Sequence, residues 1–297
     1  MSFTIARTVD EALAAMAAGA RPIAGGSDLV VGARHGKAAL PTDLVAIDRL
    51  AELKSVVETK EGVSIGALVS HHDIETHPLL CASFSGLADG SALVGSPATR
   101  NIGTLGGNIM NASPAMDTGA PLAVMGAEVE LRSQRGSRRV PIEKLWSGPG
   151  TTVAEPDELC VAVHIPAPPP RSNSAYVRLE YRRAMEIAVV GAAAFVALAD
   201  DGTIAALRVG LTAVSPTIFT GDFIGQVGRS VADAAAHAGQ ISMEQATPIS
   251  DVRASDSYRR HTVGVMARRA VEAAARRAAG ETIAIPVNRA IGIGAAS

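Results

Sequence analysis

Two short glycine runs hold the residue types best able to grip a small anionic ligand: Pro22-Ile23-Ala24-Gly25-Gly26-Ser27-Asp28-Leu29 and Thr104-Leu105-Gly106-Gly107-Asn108. Paired glycines let a backbone come close to a ligand and aim successive N–H groups at one point. A helix starting there adds its positive end, so a pyrophosphate could be received without a lysine. Ser27 brings a hydroxyl donor to the first run, and Thr104 and Asn108 bring theirs to the second. A glycine pair is also what an ordinary β-turn looks like, and pattern alone leaves both readings open.

Other reaction chemistries lack their signatures. No GxGxxG follows a strand, and there is no GxxxxGK[ST], HExxH or GxSxG. The two cysteines, Cys81 and Cys160, cannot supply the four thiolates of an iron–sulfur cluster or the four ligands of a structural zinc site. His71, His72 and His77 could suggest a metal, but His71 and His72 fall in the first turn of a capped helix, which reads as solvated surface. We expect no catalytic side chain and no metal in this chain.

The elements around these runs indicate an α+β protein. Thr8 and Glu11 form a capping-box pattern opening a helix that Gly19 stops, and Arg21 to Ala24 reads as a short buried strand. Leu29 to Arg34 reads as a helix, Asp43 to Ile47 and Val63 to Gly66 as strands, and Ser70 with Asp73 as a second capping box. Gly86 to Pro121 reads as loop-rich; Glu128 to Arg132, Arg138 to Pro141 and Val161 to Ile165 read as strands. Pro168-Pro169-Pro170 reads as a linker. Beyond it, Ala192 to Leu198 and Ile204 to Ala213 read as a hairpin with a type I′ turn at Asp201-Gly202. Ser230 to Ala238 and Tyr258 to Ala279 read as helices, with Arg268 to Arg277 as a solvated face.

Composition narrows the partners. The formal net charge of -2 and an aromatic content of 3% give neither a basic field nor stacking platforms for nucleic acid. The longest apolar run, Ile187 to Ala199, is too short to span a bilayer, and no basic leader precedes Asp10 and Glu11. With few cysteines, a soluble cytoplasmic protein is expected.

The run from Pro22 to Leu29 resembles the first flavin-binding motif of the FAD subunits of the xanthine dehydrogenase and aerobic carbon monoxide dehydrogenase family. The stretch from Ala98 to Asp117, ATRNIGTLGGNIMNASPAMD, is similar to the second, longer motif of that family. Asp43 to Ile47 with Leu53, and Ser257 to Ala270, resemble its strand-and-helix and its C-terminal helix, so the likeness covers nearly the whole chain.

The resemblance implies a two-part FAD-binding domain of the vanillyl-alcohol-oxidase/PCMH type over residues 1–170, with subdomains of about 1–55 and 56–170. A carbon monoxide dehydrogenase flavoprotein-like domain over 175–285 would follow. It implies that both glycine runs wrap the pyrophosphate of non-covalent FAD and that Asp117 hydrogen-bonds ribose or ribityl hydroxyls; as a plain element, Asp117 reads as a helix N-cap. Arg178 stands where the family has a lysine near the isoalloxazine, a change that keeps charge but not geometry. Tyr176 covers one ring face or is a core tyrosine, Cys160 packs near the flavin, and Asn111 and Ser113 bind cofactor or satisfy loop backbone.

The implied function is electron transfer within a complex. A large molybdopterin subunit hydroxylates a substrate, a small subunit carries two [2Fe-2S] clusters, and a dimer of heterotrimers is expected. The substrate class stays open among N-heteroaromatic compounds, aldehydes and carbon monoxide. A stand-alone flavin reductase of this fold and a non-redox interaction subunit are the alternatives; turnover alone with NADPH would mark the first, a colourless protein the second.

Overall fold

The computed structural model describes residues 2–36, 39–182, 184–221 and 224–292. Residues 2–36 and 39–46 form a small parallel α/β layer: β1 (Ser2–Ile5), α1 (Val9–Ala17), β2 (Arg21–Ile23), α2 (Ser27–Arg34) and β3 (Asp43–Ala46), with sheet order β1-β3-β2. Thr8 caps α1, its hydroxyl accepting from Glu11 N at 3.1 Å. The Glu11 carboxylate returns to Arg7 N rather than to Thr8 N, so only half of the expected box forms. Val9, Leu13 and Met16 pack with Val45, Ile47 and Leu50, and against Leu159 and Val161 of the next sheet. β2 is not the buried strand expected. It lies at the sheet edge with Arg21 exposed, where Pro22 costs no ladder bond. α2 buries none of its residues.

The central unit is built on a five-stranded antiparallel sheet. Its elements are β4 (Val56–Thr59), β5 (Gly62–Gly66), α3 (His71–Thr76), α4 (Pro78–Ser83), α5 (Ser85–Leu93), α6 (Pro97–Ile102), α7 (Leu105–Met110), α8 (Gly119–Val124), β6 (Glu128–Ser133), β7 (Gly136–Pro141), a small hairpin of β8 (Trp146–Gly148) and β9 (Thr151–Thr152), and β10 (Leu159–Pro166). The strand order is β4-β5-β10-β6-β7. Ser70 and Asp73 form a complete capping box on α3. The loop-rich reading of residues 86–121 gives way to four short helices, α5 to α8. Their small residues serve close packing rather than turns: a Cβ on Gly90 would lie 2.4 Å from Asp117 O, and every residue of α5 is buried.

After the proline segment come β11 (Ser172–Leu179), β12 (Val190–Leu198), β13 (Ile204–Thr212), β14 (Phe219–Gly221), α9 (Val231–Gln245), α10 (Asp256–Ala278) and α11 (Val287–Ala290). The strands form an antiparallel sheet in the order β11-β12-β13-β14. One face packs Val177, Ala192 and Ala194 against Val263, Ala270 and Val271 of α10. The other gives Tyr176 and Ala193 to the core of the central unit. The β12–β13 connection runs from Ala199 to Thr203, with Ala199 N donating to Thr203 O. Of Asp201 and Gly202, only Gly202 has positive φ, so the type I′ turn, which needs both, is absent.

α10 corrects another expectation. Arg268 and Arg276 lie on the solvated face, but Arg277 is buried and reaches Asp89 of α5, with Nη1–Oδ2 at 2.6 Å and Nη2–Oδ1 at 3.0 Å. Asp89 also accepts from Tyr176 N and Val287 N at 3.1 and 2.8 Å. This fully buried carboxylate therefore ties the central unit to β11, α10 and α11. Among the described residues, no helix is long and apolar enough to cross a membrane, and no group of His, Cys, Asp and Glu is arranged to hold a metal ion.

Candidate cofactor site

The first glycine run connects β2 to α2. Gly26 takes φ +68 and forms the N-cap of α2, a left-handed conformation that glycine adopts without steric cost. Gly25 presses on the second motif: a Cβ there would lie 1.8 Å from Ile102 O and 3.3 Å from Gly103 N. The two motifs are adjacent. The amides of Gly25, Gly26, Ser27 and Leu29 have no protein acceptor among the described residues, nor does the Ser27 hydroxyl have a protein partner. This turn therefore offers main-chain donors at a helix N-terminus.

The second run does not provide the equivalent nest expected from its sequence. It forms the start of α7, and four of its amides are already used. Leu105 N donates to Val69 O, Gly106 N to Ala67 O, Asn108 N to Thr104 O, and Gly107 N to Thr104 Oγ1. The extended segment 67–70 runs beside residues 104–106 and takes the Leu105 and Gly106 donors, while Thr104 takes those of Gly107 and Asn108; a bridge between Ser70 and Thr104 marks the pairing. Side-chain donors remain. Asn108 Oδ1 accepts from Thr118 Oγ1 at 2.6 Å, leaving the Asn108 amide nitrogen without a protein partner. Asn111 is exposed at the end of α7, whereas Ser113 Oγ accepts from Ala115 N within its own loop.

Asp117, Tyr176 and Arg178 come together in one buried network. Tyr176 Oη donates to Asp117 Oδ1 at 2.9 Å and Arg178 Nη1 to Asp117 Oδ2 at 2.7 Å. Arg178 also holds Glu180 and donates to Leu93 O, and its own amide donates to Asn288 Oδ1. Burial works against the Arg178 charge, but Asp117 and Glu180 hold its pKa above the ordinary value. Burial pushes the Tyr176 phenol well up, and the Asp117 charge adds to that.

These contacts bear on three readings, and of the two for Tyr176 they favour the core tyrosine. Asp117 is not an N-cap, because α8 begins after Thr118 and has no side-chain cap. Tyr176 and Arg178 are completely buried, so neither shows a face or charge to a ligand in this conformation. Asp117 is 6% exposed, and a carboxylate with two bonds keeps lone pairs for hydroxyl donors. Cys160 lies buried on β10 with its thiol pushed up to about 12 by burial and by Glu130, a protonated packing group.

The histidines also depart from expectation. His72 is exposed as read, but His71 is 1% exposed and His77 encloses an unpartnered Nδ1. His71 N donates to Gly103 O, which places this residue on the second motif. The sequence signal for its burial was the spacing His71, Ile74 on one face of α3, hidden by the polar residues between them.

The model for the FAD binding domain in molybdopterin dehydrogenase matches residues 1–168, and that for the CO dehydrogenase flavoprotein C-terminal domain matches residues 175–274. The chain is 34% identical to the carbon monoxide dehydrogenase medium chain of Afipia carboxidovorans, over 87% of this chain and 90% of the relative. The chain belongs to the FAD-binding medium subunits of the molybdenum hydroxylases. Members of this family also include the putative xanthine dehydrogenase FAD-binding subunit of Escherichia coli, 29% identical over 88% of this chain and 91% of that one. The medium subunit superposes on a chain of carbon monoxide dehydrogenase from Hydrogenophaga pseudoflava with a TM-score of 0.88 and 28% identity, covering 93% and 98% of the two chains.

The residues of this medium subunit fit its FAD cofactor. Unpaired amides at the α2 N-terminus suit a diphosphate, and the glycine contact at Ile102 leaves the turn no room to move inward.

Proposed function

We propose that this chain carries the electron-transferring FAD of a three-part molybdenum hydroxylase. The reading is supported by one observation above the rest: Gly25 packs on Ile102 while the amides beside it stay unpaired at the start of α2. The Gly25–Leu29 turn, preceded by Pro22, Ile23 and Ala24, cradles the diphosphate through its main chain. Thr104, Asn108 and Asn111 contribute side-chain donors, with Leu105, Gly106 and Gly107 shaping the backbone and Ser113 holding the loop. Asp117 accepts from sugar or ribityl hydroxyls, oriented by Tyr176 and Arg178 behind it, and Cys160 packs below. When bound, the flavin supplies exchange between one-electron and two-electron carriers.

The chain's own work is to bind and orient that group, and no side-chain acid or base is required. In this reading, residues 1–170 form the flavin domain, with subdomains of about 1–55 and 56–170, and residues 175–285 the second domain. Electrons come from two [2Fe-2S] clusters on a small partner subunit, and a large molybdopterin subunit hydroxylates the substrate, an N-heteroaromatic compound, an aldehyde or carbon monoxide. The complex is a cytoplasmic dimer of heterotrimers and passes its electrons to an external acceptor.

The test is purification. The protein should show the blue and near-ultraviolet bands of bound flavin and bring two further subunits with it. A colourless preparation that FAD cannot reconstitute would overturn the reading. Gly26→Val, at a positive φ, and Gly107→Val, which crowds Thr104 Oγ1 at 2.9 Å, should lose flavin; full occupancy in both would remove the assigned turns.

A further inference from the structure

His71 is a buried histidine at the flavin turn with one ring nitrogen uncommitted. Its Nδ1 lies 3.4 Å from Ser91 Oγ on the buried helix α5. Its Nε2 has no protein hydrogen-bond partner among the described residues. Unlike His77 Nδ1, it is not one of the sealed, unpartnered atoms, so the small exposure of the residue lies at this nitrogen.

The direction in which it opens follows from Gly103. A Cβ built on Gly103 would lie 3.3 Å from His71 Cδ2, the carbon bonded to Nε2, and 3.8 Å from Ser27 Oγ. The imidazole edge and the Ser27 hydroxyl thus border one small space beside the unpaired amides of the first turn. Arg100 is close by and anchored, its Nε on Glu75 Oε1 at 2.9 Å and its Nη1 on Val94 O at 3.3 Å, while its Nη2 has no protein partner among the described residues.

The protonation state is set by the surroundings. Burial, with Arg100 adding to it, lowers the His71 pKa to about 4, so the ring is neutral at neutral pH. The Nδ1–Ser91 contact fits either tautomer; if the Ser91 hydroxyl donates to Nδ1, the single ring proton sits on Nε2. The group presented to the turn is then a neutral N–H donor, suited to an acceptor with no proton of its own.

We propose that His71 is a cofactor-binding residue whose Nε2–H donates to a diphosphate oxygen of FAD, beside the Ser27 hydroxyl. The inference rests on the assignment of the first turn to the diphosphate and adds a side chain from a different element to it. It also gives Ser91 a role, that of fixing the tautomer.

The test separates the two nitrogens. The protein as purified, with the subunits that accompany it, is stripped of flavin and titrated with FAD and with ADP by calorimetry. A glutamine amide can stand near Nε2 and an asparagine amide near Nδ1. His71→Gln should bind FAD within about threefold of wild type, whereas His71→Asn should weaken both FAD and ADP by about tenfold, the worth of one hydrogen bond to a charged oxygen. Melting temperatures of the flavin-free proteins report folding separately. If His71→Asn does not fold, Ser91→Ala takes its place and should weaken FAD and ADP together by about threefold or more. Wild-type affinity in His71→Asn, or in Ser91→Ala where that variant is used, overturns this inference alone, as does equal loss in His71→Gln and His71→Asn. A wild type that takes up no FAD overturns the turn assignment and this inference with it.

Discussion

Gly25 and Ile102 meet so closely that no side chain fits between them: a Cβ at position 25 would stand 1.8 Å from Ile102 O. The two glycine motifs are held together by the lack of an atom. Gly25→Ala must push the turn away from α6 and spread its amides. The flavin-to-protein ratio is expected to fall by about tenfold or more, the effect of losing roughly 1.4 kcal/mol of binding. Gly32→Ala, in α2 with nothing within 4 Å of its Cβ, should keep its flavin and gain up to about 1 kcal/mol of helix stability. Equal flavin content in the two variants would refute the argument.

The Tyr176–Asp117 bond gives a stability prediction. Tyr176→Phe removes a buried hydrogen bond to a carboxylate and should cost about 1.5–3 kcal/mol in urea unfolding. Gly191→Ala should lower stability through the same contact, because its Cβ would lie 2.2 Å from the Tyr176 hydroxyl. An unchanged midpoint in Tyr176→Phe would mean that the network contributes nothing.

His71 predicts a pH dependence with a definite sign. Folded, its pKa is about 4, against an ordinary 6.5 in the unfolded chain. As pH falls, the unfolded chain takes up the proton first. The stabilisation is therefore complete above about pH 6.5 and lost progressively towards pH 4, to the extent of ~3 kcal/mol. Unfolding of His71→Gln measured over that range should show a shallower loss than wild type. Parallel curves would contradict the buried neutral ring.

Asp89 and Arg277 predict a contrast between buried and exposed pairs. Asp89→Ala strands a buried guanidinium and should cost about 3–5 kcal/mol. Arg268→Ala removes a solvated pair with Glu272 and should cost no more than about 0.5 kcal/mol. Chemical denaturation of both variants checks this, and similar losses would be inconsistent with the geometry.

The sequence was most legible where local rules act alone. The Thr8 and Ser70 caps, the Gly19 stop and the strands from Glu128 to Pro141 follow from hydrogen bonds between near neighbours. It was least legible where distant contacts decide. The glycines of α5 looked like loop, because the side chain and carbonyl they pack on, Ser174 and Asp117, are remote in sequence. β11 passed unnoticed because burial on both faces removes alternation, and β1 because all four of its residues are exposed. At the site, pattern reading found both glycine runs but could not tell open amides at Gly25 from occupied ones at Gly106, since the acceptor Ala67 O belongs to another element. His71 was misread for the same reason.

The Asp89 carboxylate, with ligands from β11, α10 and α11, has a consequence for how this polypeptide can be divided. A gene cut at the proline segment would leave the first fragment with an orphan anion in its interior and Tyr176 missing from its core. The two family modules that meet there are therefore expected to unfold together, in a single transition. Neither half should be expected to survive as an independent building block for swapping between enzymes.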